Sequence, residues 1–258
     1  MIYSASRRTD MVAFAPTQII EKVRRSRKLE GIVFWTKDIR NLADHAELNR
    51  VARDVPSIVQ FTVTGLGGSA WEPGVPALED LLPAAARLAA FLPAGAIRWR
   101  FDPIIVTPGL RERFLDVKEK LSRALSALNG VTVSFPDPYP RAVARVKANG
   151  LAWPKVGPEE QKELILFIAS TFGKKTAAPV KLCCEAKLLS LPGVEQAQCI
   201  DGELFDSLYG TNFGKMDKDP GQRTACGCVK STDIGSYALS CLHHCRYCYA
   251  DKSVLKSN

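Results

Sequence analysis

The sequence predicts an α/β fold: a (β/α) barrel, complete or partial, with a C-terminal cysteine-rich cap. Three observations predict it. Short runs dense in Val, Ile, Phe, Trp and Thr alternate about six times with longer stretches of helical spacing, as parallel strands joined by helical crossovers do. The length of 258 residues suits one such barrel. From about Glu203 onward, glycine, polar residues and cysteine replace the alternation. Residues 1–202 are therefore read as the barrel domain, and 203–258 as a cysteine-rich cap packed on the barrel mouth. A doubly wound open sheet is the second choice, because Ser6-Arg7-Arg8-Thr9-Asp10, not a glycine-rich dinucleotide loop, follows the first strand.

The strands are expected at residues 2–6, 31–36, 57–64, 96–101, 131–135 and 180–184, each bounded by turn residues. Helical spacing fills residues 16–28, 78–91, 111–128, 139–149 and 159–172. Pro158 before Glu159-Glu160 suits a helix start, since proline costs little in the first turn and acids favour the positive end. No linker and no internal repeat divides the chain.

With 46% apolar and 24% charged residues, the composition is that of a globular protein and not of a disordered one. No apolar run approaches the roughly 20 residues that span a bilayer. The N-terminus lacks the apolar h-region of a signal peptide, so a cytoplasmic protein without membrane contact is expected. The net charge of +8 raises nucleic acid as a partner. Lys22, Arg24, Arg25, Arg27 and Lys28, however, fall on one early helix, where a solvated face explains them more cheaply than a DNA footprint.

In a (β/α) barrel the catalytic groups gather where strands end and βα loops begin. Here those points carry Arg7, Arg8 and Asp10, then Lys37 and Asp38, Thr62 and Thr64, Arg100 and Asp102, Ser134 and Asp137, and Glu185. Alternating charges at six strand ends point to a lined pocket for a small anionic or zwitterionic ligand. Arg7, Arg8, Lys37 and Arg100 are candidates to pair with its carboxylate or phosphate groups. Asp102, Asp137 and Glu185 are candidates to bind ammonium or hydroxyl groups or to move protons.

Eight cysteines in a reducing compartment call for metal or redox chemistry more readily than for disulfides. Cys183, Cys184 and Cys199 stand in apolar surroundings, where free cysteine packs as a small hydrophobe. The decisive run is Cys241-Leu242-His243-His244-Cys245-Arg246-Tyr247-Cys248. Three thiolates in this C-x3-C-x2-C spacing, Cys241, Cys245 and Cys248, can each bind a different iron of a [4Fe–4S] cluster and leave the fourth open. Structural zinc prefers paired C-x2-4-C knuckles and fits the pattern less well. Upstream, Cys226-Gly227-Cys228 offers a fourth thiolate, a redox-active thiol or a ligand to a second metal.

The cysteine run, with Tyr247 before its third cysteine, resembles the cluster loop of the radical S-adenosylmethionine superfamily, CxxxCxφC with φ aromatic. Its Tyr-Cys-Tyr ending is similar to that of the spore photoproduct lyase branch. In that superfamily the loop follows the first strand, whereas here it lies at the end of the chain. The resemblance implies S-adenosylmethionine as cofactor on the open iron, and a flavodoxin- or ferredoxin-type electron donor. It also places Glu72, in Gly67-Gly68-Ser69-Ala70-Trp71-Glu72-Pro73, at a Gly-Gly-Glu-Pro-like stretch that grips the methionine amino group, with three residues inserted. A plain turn before a helix is the alternative. Over essentially the whole chain, Ser4–Asp10, Gly31–Lys37, Gln60–Gly65, Arg100–Ile104 and Cys226–Ala250 resemble the family called domain of unknown function 1848, which implies no established activity.

Two classes of function follow. One is a radical S-adenosylmethionine enzyme acting on a small-molecule substrate. Cys241, Cys245 and Cys248 would be its metal ligands, Arg7, Arg8, Lys37, Glu72, Arg100 and Asp137 its cofactor-binding residues, and Asp102, Glu185 and Cys228 its catalytic ones. The other is a binding or electron-transfer protein whose cluster is closed by Cys228.

Overall fold

The computed structural model describes residues 1–125, 127–173 and 179–250. Strands β1 (Ile2–Ala5), β2 (Gly31–Thr36), β3 (Ser57–Thr62), β4 (Ile97–Phe101), β5 (Val131–Val133), β6 (Val180–Leu182), β7 (Val194–Gln196) and β8 (Thr232–Asp233) form one sheet. Helices α1 (Met11–Phe14), α2 (Pro16–Arg25), α3 (Arg40–Asp44), α4 (Ala46–Asp54), α5 (Leu78–Ala89), α6 (Leu110–Ala124), α7 (Pro140–Ala148), α8 (Pro158–Ser170) and α9 (Gly202–Tyr209) connect them.

All strand pairs are parallel, in the order β7-β6-β5-β4-β3-β2-β1-β8. From β1 to β7 sequence neighbours are neighbours in space, so the sheet has no reversal of order of the kind that marks a doubly wound fold. Pairing of β7 with β8 would close this order into a barrel. The sheet is open at that seam.

Register sorts the side chains onto two faces, because their period along a strand is two. On one face Ala5, Phe34, Phe61, Trp99 and Phe101 pack against Ile19 of α2, Leu48 of α4, Leu88 of α5, Phe114 and Leu121 of α6, and Ile168 of α8. Trp99 and Phe114 stack at 5.0 Å between ring centroids, and the Trp99 indole donates to the Val63 carbonyl at 2.9 Å. Each such buried side chain contributes roughly 1.5–3 kcal/mol.

The opposite face changes character along the strands. Towards their amino ends Ile2, Val33 and Ile58 meet Ile200, Phe205, Phe213 and Val229, so α9 and its flanks cover that end. Towards the carboxyl ends the same face carries Ser4, Trp35, Gln60 and Arg100, with the register Trp35–Gln60–Arg98 and Thr62–Arg100–Thr132. Apolar closure below and polar side chains above put the candidate site at the carboxyl ends of the strands.

The six expected strands and five expected helices are present, β2 with its expected ends and the others with shifted ones. Four strands stop early, β1 by one residue and three others for local reasons. After β3 the Thr64 hydroxyl donates to Glu72 and Gly65 turns the chain at φ +69°. After β6, Cys184 stands at φ +65°. After β5, the Ser134 carbonyl accepts from the Ile104 amide at 2.7 Å. Sequence reading missed α1, α3, α4, α9, β7 and β8. Helix α9 has both caps, the Asp201 carboxylate accepting from the Leu204 amide at 2.9 Å and Gly210 at φ +65°. Strand β8, in the glycine- and cysteine-rich tail, continues the sheet beside β1. Among the described residues no helix is long and apolar enough to cross a membrane.

Candidate functional site

A cavity of about 850 Å³ opens at the carboxyl ends of the strands. Strand ends supply Arg7, Arg8, Trp35, Lys37, Arg100, Asp102 and Asp137 to its wall, and the tail supplies residues 237–245 and 247–250. All eight cysteines line it. They fall into two groups: Cys241, Cys245 and Cys248 on the tail loop, and Cys183, Cys184, Cys199, Cys226 and Cys228 near the seam strands.

The tail loop is docked backbone to backbone on the turn that carries Glu72. The Gly74 amide donates to the His243 carbonyl at 3.0 Å, and the Arg246 amide donates to the Trp71 carbonyl at 2.9 Å. A side chain at position 74 would collide with the Leu242 carbonyl, so the close approach requires glycine there. His244 bends the loop at φ +50°. Its neighbour His243, 1% exposed, faces the Gly74 carbonyl through Nδ1 at 3.1 Å and Asp10 Oδ2 through Nε2 at 2.8 Å.

Asp10 is the junction of this wall. It caps α1 through the Ala13 amide at 3.0 Å and accepts from the Thr36 hydroxyl at 3.0 Å and the Lys37 amide at 2.7 Å. Beside it, Lys37 donates to Glu72 Oε1 at 2.9 Å, Thr64 donates to the same oxygen at 2.8 Å, and so does the Tyr247 hydroxyl. Burial works against both charges. The Lys37 ammonium, Tyr247 and Thr64 nonetheless hold the Glu72 carboxyl below its usual range. In return Glu72, helped by the nearby Cys245, holds Lys37 above its own despite the same penalty. Burial raises the Cys245 thiol well above normal and the Cys241 thiol to about 11. A bare thiolate is disfavoured in this nest.

The other candidate residues divide by position. The Arg7 guanidinium lies 5.3 Å from the Trp35 ring and Arg8 5.2 Å from Tyr237, both on the cavity wall. Arg7 Nη2 is buried without a hydrogen-bond partner. Arg100, 6% exposed, pairs with Asp102, which also accepts from the Ser134 hydroxyl. Asp137 pairs with Arg223 at 2.9 Å at the rim. Glu72 and Glu185 are not among the cavity-lining residues. Glu72 is 1% exposed and engaged with the tail loop. Glu185 accepts from the Phe135 amide at 2.9 Å, with its carboxyl raised by burial. Cys228, 2% exposed, accepts from the Ile200 amide at 3.4 Å, on the seam side of the cavity.

Sequence reading missed Asp10 and His243 as partners, and Asp233, which accepts from Ser6 at 2.7 Å and from the Arg7 amide at 3.4 Å. It also read Cys183, Cys184 and Cys199 as core packing. They do pack on the lower apolar cluster, yet all three reach the cavity as well. Their wide separation from the other cysteines in sequence concealed this. Among the described residues no three His, Cys, Asp or Glu side chains are grouped to hold a metal ion. A cubane cluster makes a different demand, because each thiolate binds a separate iron and the thiolates stand apart. Three soft sulfur donors, Cys241, Cys245 and Cys248, stand on one loop and line one cavity.

A family model described as a domain of unknown function (DUF1848) matches residues 15–250. No curated protein and no solved structure matches the chain.

Proposed function

The chain belongs to the domain of unknown function 1848 family, and from that premise we propose that it is an iron–sulfur enzyme of the radical S-adenosylmethionine type acting on a small anionic substrate. One observation carries this reading: Cys241, Cys245 and Cys248 line the same cavity as Arg7, Arg8, Arg100 and Asp102. The three thiolates would hold a [4Fe–4S] cluster. When bound, a cluster with one open iron supplies electrons that cleave S-adenosylmethionine reductively.

The protein's own groups position, neutralise and exclude water. Lys37 and Glu72 fix the loop from beneath, and the Lys37 charge faces Cys245. Tyr247, held by Glu72, shields the same side. Arg7 and Arg8 offer guanidinium donors to a carboxylate or phosphate. Asp102, engaged by Arg100 and Ser134, offers a carboxylate to a hydroxyl or ammonium group. In this reading the sheet serves as a partial barrel, the end of the tail from residue 237 as the cap on its mouth, and a flavodoxin- or ferredoxin-type protein as electron donor. The protein is expected in the cytoplasm.

The closed-cluster alternative needs Cys228 beside the tail loop. Its neighbours are instead Cys226, Arg100 and Ile200, which favours the open cluster. The test is anaerobic reconstitution with iron and sulfide. Changing Cys241, Cys245 and Cys248 to Ser should remove a cluster that binds S-adenosylmethionine. Unaltered cofactor binding in that variant would reject the reading.

A further inference from the structure

We propose that Cys183, Cys184, Cys199, Cys226 and Cys228 form a second thiolate site, separate from the tail loop, that holds an iron–sulfur cluster of its own. Three separate chain segments bring these sulfurs together. Cys183 and Cys184 directly follow β6, Cys199 follows β7, and Cys226 and Cys228 precede β8. The backbone fixes the approach. The Val229 amide donates to the Ile200 carbonyl at 3.1 Å, and Gln196 Nε2 donates to the Ala225 carbonyl at 2.7 Å. Gly227, between the two cysteines, leaves no room for a side chain against Gln198. The Cys226-Gly227-Cys228 run is thereby pressed onto the segment that carries Cys199.

The five share one buried cluster, Cys199, Cys226 and Cys228 within it and Cys183 and Cys184 packed against it, and the Ile200 amide donates to Cys228 Sγ at 3.4 Å. All five reach the cavity. Cations face them. Arg100 Nη1 donates to Cys199 Sγ at 2.8 Å, and Arg223 acts on Cys184 and Cys183.

Arg100 is 6% exposed. Asp102 pairs with its Nη2 and offsets the cost of burying the charge, while Nη1 is left to donate to the sulfur side. A cluster ligated by four thiolates is anionic, and N–H···S hydrogen bonds are a recognised lever on its potential. A tetrahedral zinc ion gathers its ligands round one point, whereas a [4Fe–4S] cluster takes four thiolates on separate irons; the five thiols on this wall exceed the four required.

The test compares two variants of the full chain after anaerobic reconstitution with iron and sulfide. In one, Cys199, Cys226 and Cys228 are changed to Ser; in the other, Cys241, Cys245 and Cys248 are. The first should lose about four irons per chain and keep S-adenosylmethionine binding. The second, folded by circular dichroism, should keep about four irons in a cluster whose spectrum ignores S-adenosylmethionine. If the first variant retains all the wild-type iron, or the second is folded and iron-free or holds only zinc, the second site is refuted. Should one variant fail to fold, the other decides by the same criterion. If no cluster forms on the tail loop, the second variant and wild type hold equal iron, so failure of the proposed enzymatic reading leaves a distinct signature.

Discussion

Asp10 and His243, 233 positions apart, meet at 2.8 Å with both side chains almost wholly buried. The contact ties the end of the first βα unit to the tail loop. Asp10 serves three further donors from α1 and β2, so its removal strands several polar groups at once.

Asp10→Ala should therefore destabilise the protein by about 3–5 kcal/mol, the range for breaking a buried pair by removing one partner. Urea unfolding measures it. A loss under about 1 kcal/mol would mean that the tail loop is not anchored through this residue.

Glu72→Gln should leave Lys37 without its carboxylate in a buried setting, and unfolding should again show a loss of several kcal/mol. Lys37→Met combined with Glu72→Leu should recover much of it, because an apolar pair has no charge to desolvate. If the double variant is as unstable as the single one, the account of this pair is incorrect.

Gly74→Ala should push the tail loop off its dock, since the added methyl meets the Leu242 carbonyl. Iron bound at the loop should fall while far-ultraviolet circular dichroism stays unchanged. Wild-type iron content in this variant would contradict the docking.

Tyr209 gives a pH dependence. Its hydroxyl donates to the Ser57 carbonyl at 2.6 Å, and burial raises its pKa above the usual 10. The folded state thus favours the neutral phenol. Its contribution is fully present below pH 10 and is lost as pH rises through the higher folded value. Tyr209→Phe should cost about 0.5–1.5 kcal/mol near neutrality and flatten the alkaline decline. An equal decline in both proteins would assign it elsewhere.

Much of the fold was legible because strands buried on both faces and amphipathic helices leave strong patterns. The run Gly31–Thr36 matches β2 end for end. Elements of two to five residues, such as β8 and α3, leave too little pattern to detect. The cysteines of the tail loop were legible because their spacing is local. The convergence of Cys184, Cys199 and Cys226 was not, since it depends on how β6, β7 and the approach to β8 lie side by side. Asp10 was visible only as one acid among many at strand ends. Its role as a junction needed the partner at His243.

The measurement that bears most directly on the enzymatic reading is electron paramagnetic resonance of the anaerobically reconstituted, reduced protein, recorded with and without S-adenosylmethionine. An open iron held by Cys241, Cys245 and Cys248 predicts a [4Fe–4S] signal that shifts on addition of the cofactor and is absent from the Cys241→Ser variant. A reduced protein in which no cluster signal responds to the cofactor, or zinc without labile sulfide, would contradict it.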